Sequence, residues 1–295
     1  MRSKLYNFLS HFSSSYLLRH SSQFRVLAYH TVPDSSKFEK QVKFLISNYN
    51  IIDVDTLQLA IKNKSKLPKK SLLITFDDGD ISVYQNALPV LKKYNLPAVV
   101  FVITSLIGTY KGFWWNQVEK YYEYQGKTFK EARQKVNILK NISESERREY
   151  LSTIPTIEWR QLKIKELQEM SENGVSIANH THTHPMMNNC SSYEMKEELN
   201  KVENLFRKWY FPKYEVFAYP NGNWNRQTEN VIRDAGISTA FLFDHQLNSE
   251  PINPLRISRI AVATDDALPE FKVKVSGLHT SILALKKSLS FKSWI

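Results

Sequence analysis

The sequence lacks several features that would identify common classes of protein. A single cysteine among 295 residues excludes an internal disulfide framework and a cysteine-rich zinc module. Eight glycines and eleven prolines are too few for a fibrous or low-complexity chain. There is no G-x-S-x-G segment, no Walker A motif and no glycine-rich dinucleotide loop. These absences disfavour triad hydrolases, P-loop enzymes and Rossmann oxidoreductases.

Long apolar runs are also absent, and the charge is unevenly placed. No run reaches the roughly 18 apolar residues that a membrane-spanning helix needs, and serines interrupt the apolar N-terminal residues where a secretory signal would be continuous. We therefore expect the protein in the cytoplasm or at the cytoplasmic face of a membrane. Ranges 1–25 and 271–295 together hold nine of the 40 basic residues and no acidic residue. The body between them is nearly neutral, which disfavours nucleic-acid binding.

The basic ends are partly apolar, which fits contact with an anionic membrane surface. Segment 278–295 mixes leucine, isoleucine, phenylalanine and tryptophan with lysine, in the pattern of an amphipathic helix. The alternative to membrane contact is that this helix packs on the fold with its lysines in water.

Apolar runs typical of buried strands alternate with amphipathic helical patterns along the chain. Strands are predicted at 24–32, 49–54, 71–80, 97–104, 175–185, 215–222, 238–244 and 255–262. This alternation predicts a parallel sheet covered by helices, as a barrel or a doubly wound fold. We divide the chain into a basic N-terminal arm (1–25), a (β/α) domain (26–270) with a helical excursion around 110–160, and a basic amphipathic tail (271–295).

The first group of residues that could perform chemistry is TFDDGD at 75–80. Adjacent carboxylates at a strand end point to different sides. One of them can therefore bind a cation while the other takes a proton from water. Gly79 allows a sharp turn that leaves the site open. The alternative is a strand-end turn whose acids cap the next helix.

The second group is NHTHTHP at 179–185, with three histidines in five residues. His180 and His184 would share one face of a helical turn, and all three would share one face of an extended strand. A zinc site with two histidines and one carboxylate leaves a position open for water, whose pKa it lowers to about 7. The alternative is a solvated polar turn.

Together, TFDDG, His-Thr-His-Thr-His about 100 residues later, and FAYPNG at 217–222 resemble the polysaccharide deacetylase (NodB-homology) family over about residues 26–265. The resemblance implies a distorted (β/α) barrel that removes acetyl groups from N- or O-acetylated sugars. It also implies a divalent metal, zinc foremost, with cobalt and nickel as alternatives. By this resemblance Asp77 is the general base, and the metal ligands are Asp78, His180 and His184. His182 falls on a variable position and is not expected to bind the metal.

The sequence departs from the family in its late motifs. The usual acid lies in a late Leu-x-His motif that is absent here, but VLAYHTV at 26–32 resembles the branch that deacetylates poly-N-acetylglucosamine. In that branch a Tyr-His pair supplies the acid, so we expect His30 to be the general acid. The third motif, often Arg-x-Pro-Tyr, reads Ala218-Tyr219-Pro220-Asn221, without the arginine that orients the base. The hypothesis is that Arg256 or Arg259 replaces it, with a salt bridge as the structural alternative.

We expect Asn221 to stabilise the oxyanion through its backbone N–H. Tyr219, Arg259 and Trp115 are expected to lie beside it and contact the substrate. Trp114, Trp115 and Trp224 are expected in loops after strands, where they could stack on sugars or simply pack. Cys190 is expected to be an inert buried thiol.

The leading interpretation is a metal-dependent N-deacetylase of a cell-surface polysaccharide or of its lipid- or nucleotide-linked precursor. The alternative is a catalytically impaired carbohydrate-binding pseudoenzyme on the same fold.

Overall fold

The computed structural model describes residues 2–282, and its centre is a curled sheet of eight parallel strands. The order is β7-β6-β5-β4-β3-β1-β8, with β2 paired to the start of β3. Every residue of β1, β3 and β4 is buried, because helices cover the outer face of the sheet and its curvature encloses the inner face. The strands are β1 (Arg25–Tyr29), β2 (Asn50–Ile51), β3 (Ser71–Phe76), β4 (Ala98–Val102), β5 (Val175–Asn179), β6 (Lys213–Ala218), β7 (Thr239–Phe241) and β8 (Ile260–Ala261).

An irregular segment, 255–262, joins the two ends of the sheet. On one side Leu242 N donates to Ile257 O at 2.7 Å, and Ile257 N donates to Ala240 O at 2.9 Å. On the other side β8 pairs with β1, and Val262 N donates to Ala28 O at 3.1 Å. The sheet therefore closes on itself, as a distorted (β/α) barrel does. The long strand predicted at 255–262 is regular only at β8, because the segment must bend to reach both neighbours.

Helices follow the strands, and their starts are set by local capping chemistry. Capping boxes begin three of them, at Thr128, Ser143 and Ser191. The helices are α1 (Arg2–Arg19), α2 (Ser35–Asn48), α3 (Val54–Asn63), α4 (Leu88–Tyr94), α5 (Trp114–Tyr124), α6 (Phe129–Leu139), α7 (Glu144–Ser152), α8 (Ile164–Glu172), α9 (Ser192–Trp209), α10 (Arg226–Asp234) and α11 (Leu268–Ser276). Of these, α5, α6 and α7 lie within 110–160 and form the helical excursion.

Two local expectations are wrong around this excursion. Trp114 and Trp115 open α5 rather than lying in a loop. The sequence pattern over 159–174 predicts a helix. The helix α8 begins only at Ile164, because residues 157–161 instead pair with 109–112 through backbone hydrogen bonds. Residues 159–163, the N-terminal part of that helical pattern, are thus held out of the helix by a tertiary contact.

The N-terminal residues, expected as an arm, form α1, which packs against α11 and buries Tyr6 and Leu17. Arg25 is fully buried at the start of β1, and its guanidinium donates to the carbonyls of Val275 and Ser276. The C-terminal amphipathic tail is described only as far as Ile282, so most of it lies outside the described residues. Among residues 2–282 no helix combines the length and apolarity that crossing a membrane requires.

Candidate metal centre and catalytic pocket

The side chains that the sequence selects for chemistry follow successive strands and meet at one end of the barrel. His30 follows β1, Asp77 and Asp78 follow β3, and the histidines follow β5. The carboxyl ends of parallel strands share one edge, which is where such folds hold their sites. A pocket of about 410 Å³ opens there, and its walls include His30, Asp77, Asp78, Trp115, His180, His184 and Asn221.

Asp78, His180 and His184 form a buried cluster of potential metal ligands. One ligand atom from each lies within 4.8 Å of the others. Asp78 Oδ1 is 3.3 Å from His180 Nε2 and 3.5 Å from His184 Nε2. His182 stays out of the cluster, because its Nδ1 lies 2.9 Å from the hydroxyl of Thr104.

The turn after β3 separates the two carboxylates. Asp78 and Gly79 both adopt left-handed backbone conformations, with φ of 68° and 71°. A Cβ at Gly79 would lie 3.2 Å from the side chain of Val102, so glycine fits both the conformation and the space. As a result Asp78 faces the histidines while Asp77 faces Arg259.

The histidine turn is held by its own threonine and asparagine side chains. Asn179 Oδ1 accepts from Thr181 N at 2.8 Å, and Thr181 Oγ1 accepts from His184 N at 3.0 Å. Thr181 and His184 have φ of 67° and 57°, so the segment is neither the helix nor the extended strand that the spacing allows. This folded turn brings His180 and His184 to the same point.

Glu198 supports this turn from α9, and no pattern in the sequence distinguishes it. It is buried, and one carboxylate oxygen accepts from His182 N at 2.8 Å and Thr183 N at 2.7 Å. In the sequence it is one of several glutamates on an amphipathic helix. Only its burial and its contacts distinguish it.

The donor set of the cluster suits a divalent metal. Asp78 Oδ1 is buried without a well-aligned hydrogen bond among the described residues, which costs free energy unless a cation is present. His180 Nδ1 lies 2.9 Å from the Ala218 carbonyl, to which it donates, so Nε2 is the nitrogen that faces the cluster. Burial lowers the pKa of His180, but Asp78 and Asp77 outweigh it and raise that pKa, whereas burial, with His180 nearby, lowers the pKa of His184 to about 3. Two imidazoles and a carboxylate are a zinc-type set, and binding of a metal displaces any proton on the ligand nitrogens.

Asp77 is held by a fully buried arginine from the segment that closes the barrel. Arg259 Nη1 and Nη2 donate to the two carboxylate oxygens at 2.6 and 2.8 Å, and Arg259 Nε donates to Leu242 O. Burial alone would raise the pKa of Asp77, but Arg259 and His180 outweigh it and hold that pKa below its usual value. The carboxylate is therefore ionised and fixed in orientation. Arg256 instead pairs with Glu229 and stacks over Trp224 at 3.9 Å.

His30 stands exposed at the rim of the pocket. Its ring meets Phe243 edge to face, with 5.3 Å between centroids. No hydrogen bond of this ring is formed within residues 2–282, so neither nitrogen is engaged by another protein group. A proton donor at this position can reach a group bound in the pocket.

Asn221 lies on the turn after β6 and is tied to the excursion. Its φ of 57° is left-handed, and its backbone N–H is among the first donors of a 3-10 turn, which have no acceptor inside the turn. Lys140, at the end of α6, donates through Nζ to Asn221 Oδ1 at 2.8 Å. Burial lowers the pKa of Lys140, and Arg133 lowers it further. Nothing in the charged stretch 110–160 distinguishes Lys140 from other lysines before the chain is folded.

The remaining expected residues divide between the pocket and the core. Trp115 lines the pocket, with its ring 4.9 Å from that of His184. The expected substrate contact of Tyr219 needs correcting, because its side chain is fully buried and its hydroxyl donates to Leu255 O at 3.2 Å. Cys190 is buried, and burial raises the pKa of its thiol to about 12. It is not part of the ligand cluster.

Comparisons with known proteins point to one family. Residues 64–240 match the family model described as polysaccharide deacetylase. The poly-β-1,6-N-acetyl-D-glucosamine N-deacetylase of Staphylococcus aureus is 29% identical over 288 residues, which cover 93% of this chain and 79% of that protein. The Streptococcus pyogenes deacetylase PplD superposes with a TM-score of 0.63 at 20% identity, covering 86% of this chain and 98% of PplD. IcaB from Ammonifex degensii superposes with a TM-score of 0.63 at 21% identity, covering 86% of this chain and 97% of IcaB. These two likenesses concern the fold and confirm the distorted (β/α) barrel.

Proposed function

Because this chain belongs to the polysaccharide deacetylase family, we propose that it is a metal-dependent N-deacetylase. Its substrate would be the N-acetylated sugars of a cell-surface polysaccharide or of its lipid- or nucleotide-linked precursor. The observation that carries the proposal is one pocket that holds both a buried Asp-His-His cluster and a separate carboxylate fixed by an arginine. The name of the S. aureus relative supports an N-acetylated hexosamine as the sugar.

The metal would be held by Asp78, His180 and His184, and zinc suits this set best, with cobalt and nickel as alternatives. When bound, such a metal lowers the pKa of water and polarises the acetyl carbonyl. Ala218 O fixes His180 in the tautomer that binding needs, and Glu198 holds the turn that carries His184.

The protein's own groups would move the protons. Asp77 accepts the proton that the attacking water loses, and Arg259 keeps this carboxylate ionised and aimed. The backbone N–H of Asn221 donates to the oxyanion of the tetrahedral intermediate. His30 then protonates the amine as the carbon–nitrogen bond breaks, which a poor leaving group requires. The products are acetate and a free amino sugar.

The alternative, a carbohydrate-binding pseudoenzyme, was favoured by the missing arginine of the third motif. Arg259 supplies a bidentate contact to Asp77 from another segment, which removes that reason. A buried pair of this kind beside a ligand cluster has a clear use in catalysis and none in binding alone. This supports an enzyme over a pseudoenzyme.

Acetate release tests the proposal. The panel should contain N-acetylglucosamine oligomers, an O-acetylated sugar, a sugar nucleotide and an aryl acetate, each with added zinc or cobalt and with chelator. We expect release that chelator abolishes and that Asp77→Asn lacks. Absence of release from every member by a protein that binds one metal ion would contradict the proposal and favour the pseudoenzyme.

We further infer that α1 contacts an anionic membrane surface. Leu5, Phe8, Phe12 and Leu18 are between 49% and 63% exposed, and the helix carries basic residues but no acidic one. Exposed apolar side chains on a helix without acidic residues suit shallow insertion among anionic lipids. Sedimentation with phosphatidylglycerol vesicles, but not with phosphatidylcholine vesicles, is expected, and Phe8→Ser with Phe12→Ser should abolish it. Equal sedimentation with both lipids would contradict the inference. The cytoplasmic side of the membrane stays a prediction from sequence.

A further inference from the structure

The catalytic pocket continues into a groove along the helical excursion. A cavity of about 330 Å³ adjoins it and shares Asn116 and Trp159 as walls. A third cavity, of about 470 Å³, shares Lys120, Ile157 and Trp159 with the second. We call these two cavities the outer groove. Trp159 borders all three spaces, so it stands where the groove meets the pocket.

Trp159 is a rigidly mounted but exposed ring. Its backbone N–H donates to Tyr110 O at 2.8 Å, and Gly112 N donates to Ile157 O at 3.0 Å. A Cβ at Gly112 would lie 2.4 Å from the side chain of Ile157, so only glycine permits this close pairing. The side chain is nevertheless 41% exposed, and no aromatic ring within residues 2–282 packs against it. The fold therefore holds a large apolar face toward the groove without using it for the core.

Other aromatic side chains continue along the same path. Phe129 and Tyr124 line the outer groove and are 71% and 74% exposed. Aromatic faces present large apolar areas with little conformational entropy to lose, which suits the C–H faces of sugar rings. Two such rings beyond the pocket, with Trp159 at its edge, exceed what one sugar unit at the metal centre needs.

The charges that line the groove are of both signs, and several of them are paired. Glu119 accepts from Arg133 at 2.7 Å, and Glu123 pairs with Lys120 at 2.8 Å. Paired charges leave little net field for a polyanion. They do offer hydrogen-bonding groups to a neutral, polar chain.

We propose that the outer groove binds the sugar units next to the one being deacetylated, with Trp159 as the stacking platform. Its occupant is a chain of neutral N-acetylhexosamine units, so a polymer is preferred over a nucleotide-linked monomer. This inference rests on the proposed function, and it adds the residue that selects chain length.

The test is the dependence of kcat/KM on chain length, measured with N-acetylglucosamine oligomers of two to six units. In the wild type kcat/KM should rise with length. Trp159→Ala should remove most of that rise, about tenfold for the hexamer, with little change for the dimer. Trp159→Phe should restore much of it. The matched control is Tyr193→Ala, because Tyr193 is 73% exposed on α9 and lines none of these three cavities.

Hydrolysis of an aryl acetate separates this inference from the proposed function. That small ester does not extend into the outer groove, so Trp159→Ala should lose much less activity on it than on the hexamer. A melting curve by circular dichroism shows whether the variant is folded. If the wild type hydrolyses no substrate, hexamer binding followed by tryptophan fluorescence tests the groove independently, and Trp159→Ala should weaken it about tenfold. The same length dependence in Trp159→Ala and Tyr193→Ala, or a sugar nucleotide as the best substrate, would overturn the inference.

Discussion

The two sides of the pocket are built differently. The barrel side carries Asp77, Asp78, His180, His184 and Arg259, all of them buried and most of them fixed by hydrogen bonds or ion pairs. The excursion side carries Trp115, Arg133, Lys140 and Trp159, which are partly exposed. Bond-breaking groups must be held precisely in a dry environment, whereas groups that recognise a sugar chain must be open to it. The difference suggests that the barrel performs the chemistry and the excursion selects the substrate.

The largest effects are expected on the barrel side, where two adjacent carboxylates can be compared directly. Asp77→Asn should lower kcat about 10³-fold while zinc still binds, because the base is lost but the ligand cluster is intact. Asp78→Asn should lose both activity and zinc. Metal content by atomic absorption, beside acetate release, distinguishes the two. Equal zinc loss in both variants would show that the carboxylates do not divide their roles.

His30 should matter only where the leaving group needs a proton. His30→Asn should lower N-deacetylation at least 10²-fold. An aryl acetate releases a stable phenolate, so its hydrolysis by the same variant should change by less than about threefold. Parallel rates for the two substrates provide the measurement. An equal loss on amide and ester would assign His30 a structural or binding role.

Arg259 links catalysis to stability. Arg259→Met should reduce turnover by about 10- to 100-fold with metal content unchanged, because Asp77 loses its orientation. It should also cost about 3–5 kcal/mol in the free energy of unfolding, since a buried carboxylate is left unpaired.

Arg256→Met is the matched control, because Arg256 is three residues away and pairs with Glu229. It should keep near-normal turnover. Denaturant unfolding and turnover per folded molecule measure the two effects of Arg259→Met. Near-normal turnover of Arg259→Met would show that Arg259 does not orient Asp77 for catalysis.

Lys140 links the two sides through one side-chain hydrogen bond. Of the substitutions considered, its replacement should therefore have the smallest effect on turnover. Lys140→Met removes the contact that holds the Asn221 turn and should lower kcat/KM about three- to tenfold. Lys140→Arg should recover part of the loss. Steady-state kinetics with the hexamer checks this, and an unchanged kcat/KM in Lys140→Met would mean that the turn is held by the barrel alone.

Much of the barrel side could be predicted before the structure. Its strands are short apolar runs, and Asp77, Asp78, His180 and His184 follow them directly, so the pattern marks two candidate clusters. The resemblance to the deacetylase family is what singles out these four residues and their roles. The boundaries were less accurate. Residues 159–163 have a helical pattern but pair with 109–112, and Trp114 and Trp115 begin a helix. Local pattern cannot anticipate a contact with a distant segment.

The alternation of strands and helices, the capping of several helices and the list of chemical groups follow from the amino-acid sequence alone. These features depend on neighbours along the chain, whose spacing is fixed by covalent geometry. Folding was needed to show that Arg259 rather than Arg256 contacts Asp77, that Tyr219 is buried, and that Glu198, Lys140 and Trp159 lie at the site. Each of these contacts depends on closing the barrel, packing α9 against the histidine turn or docking the excursion, which brings together residues far apart in sequence.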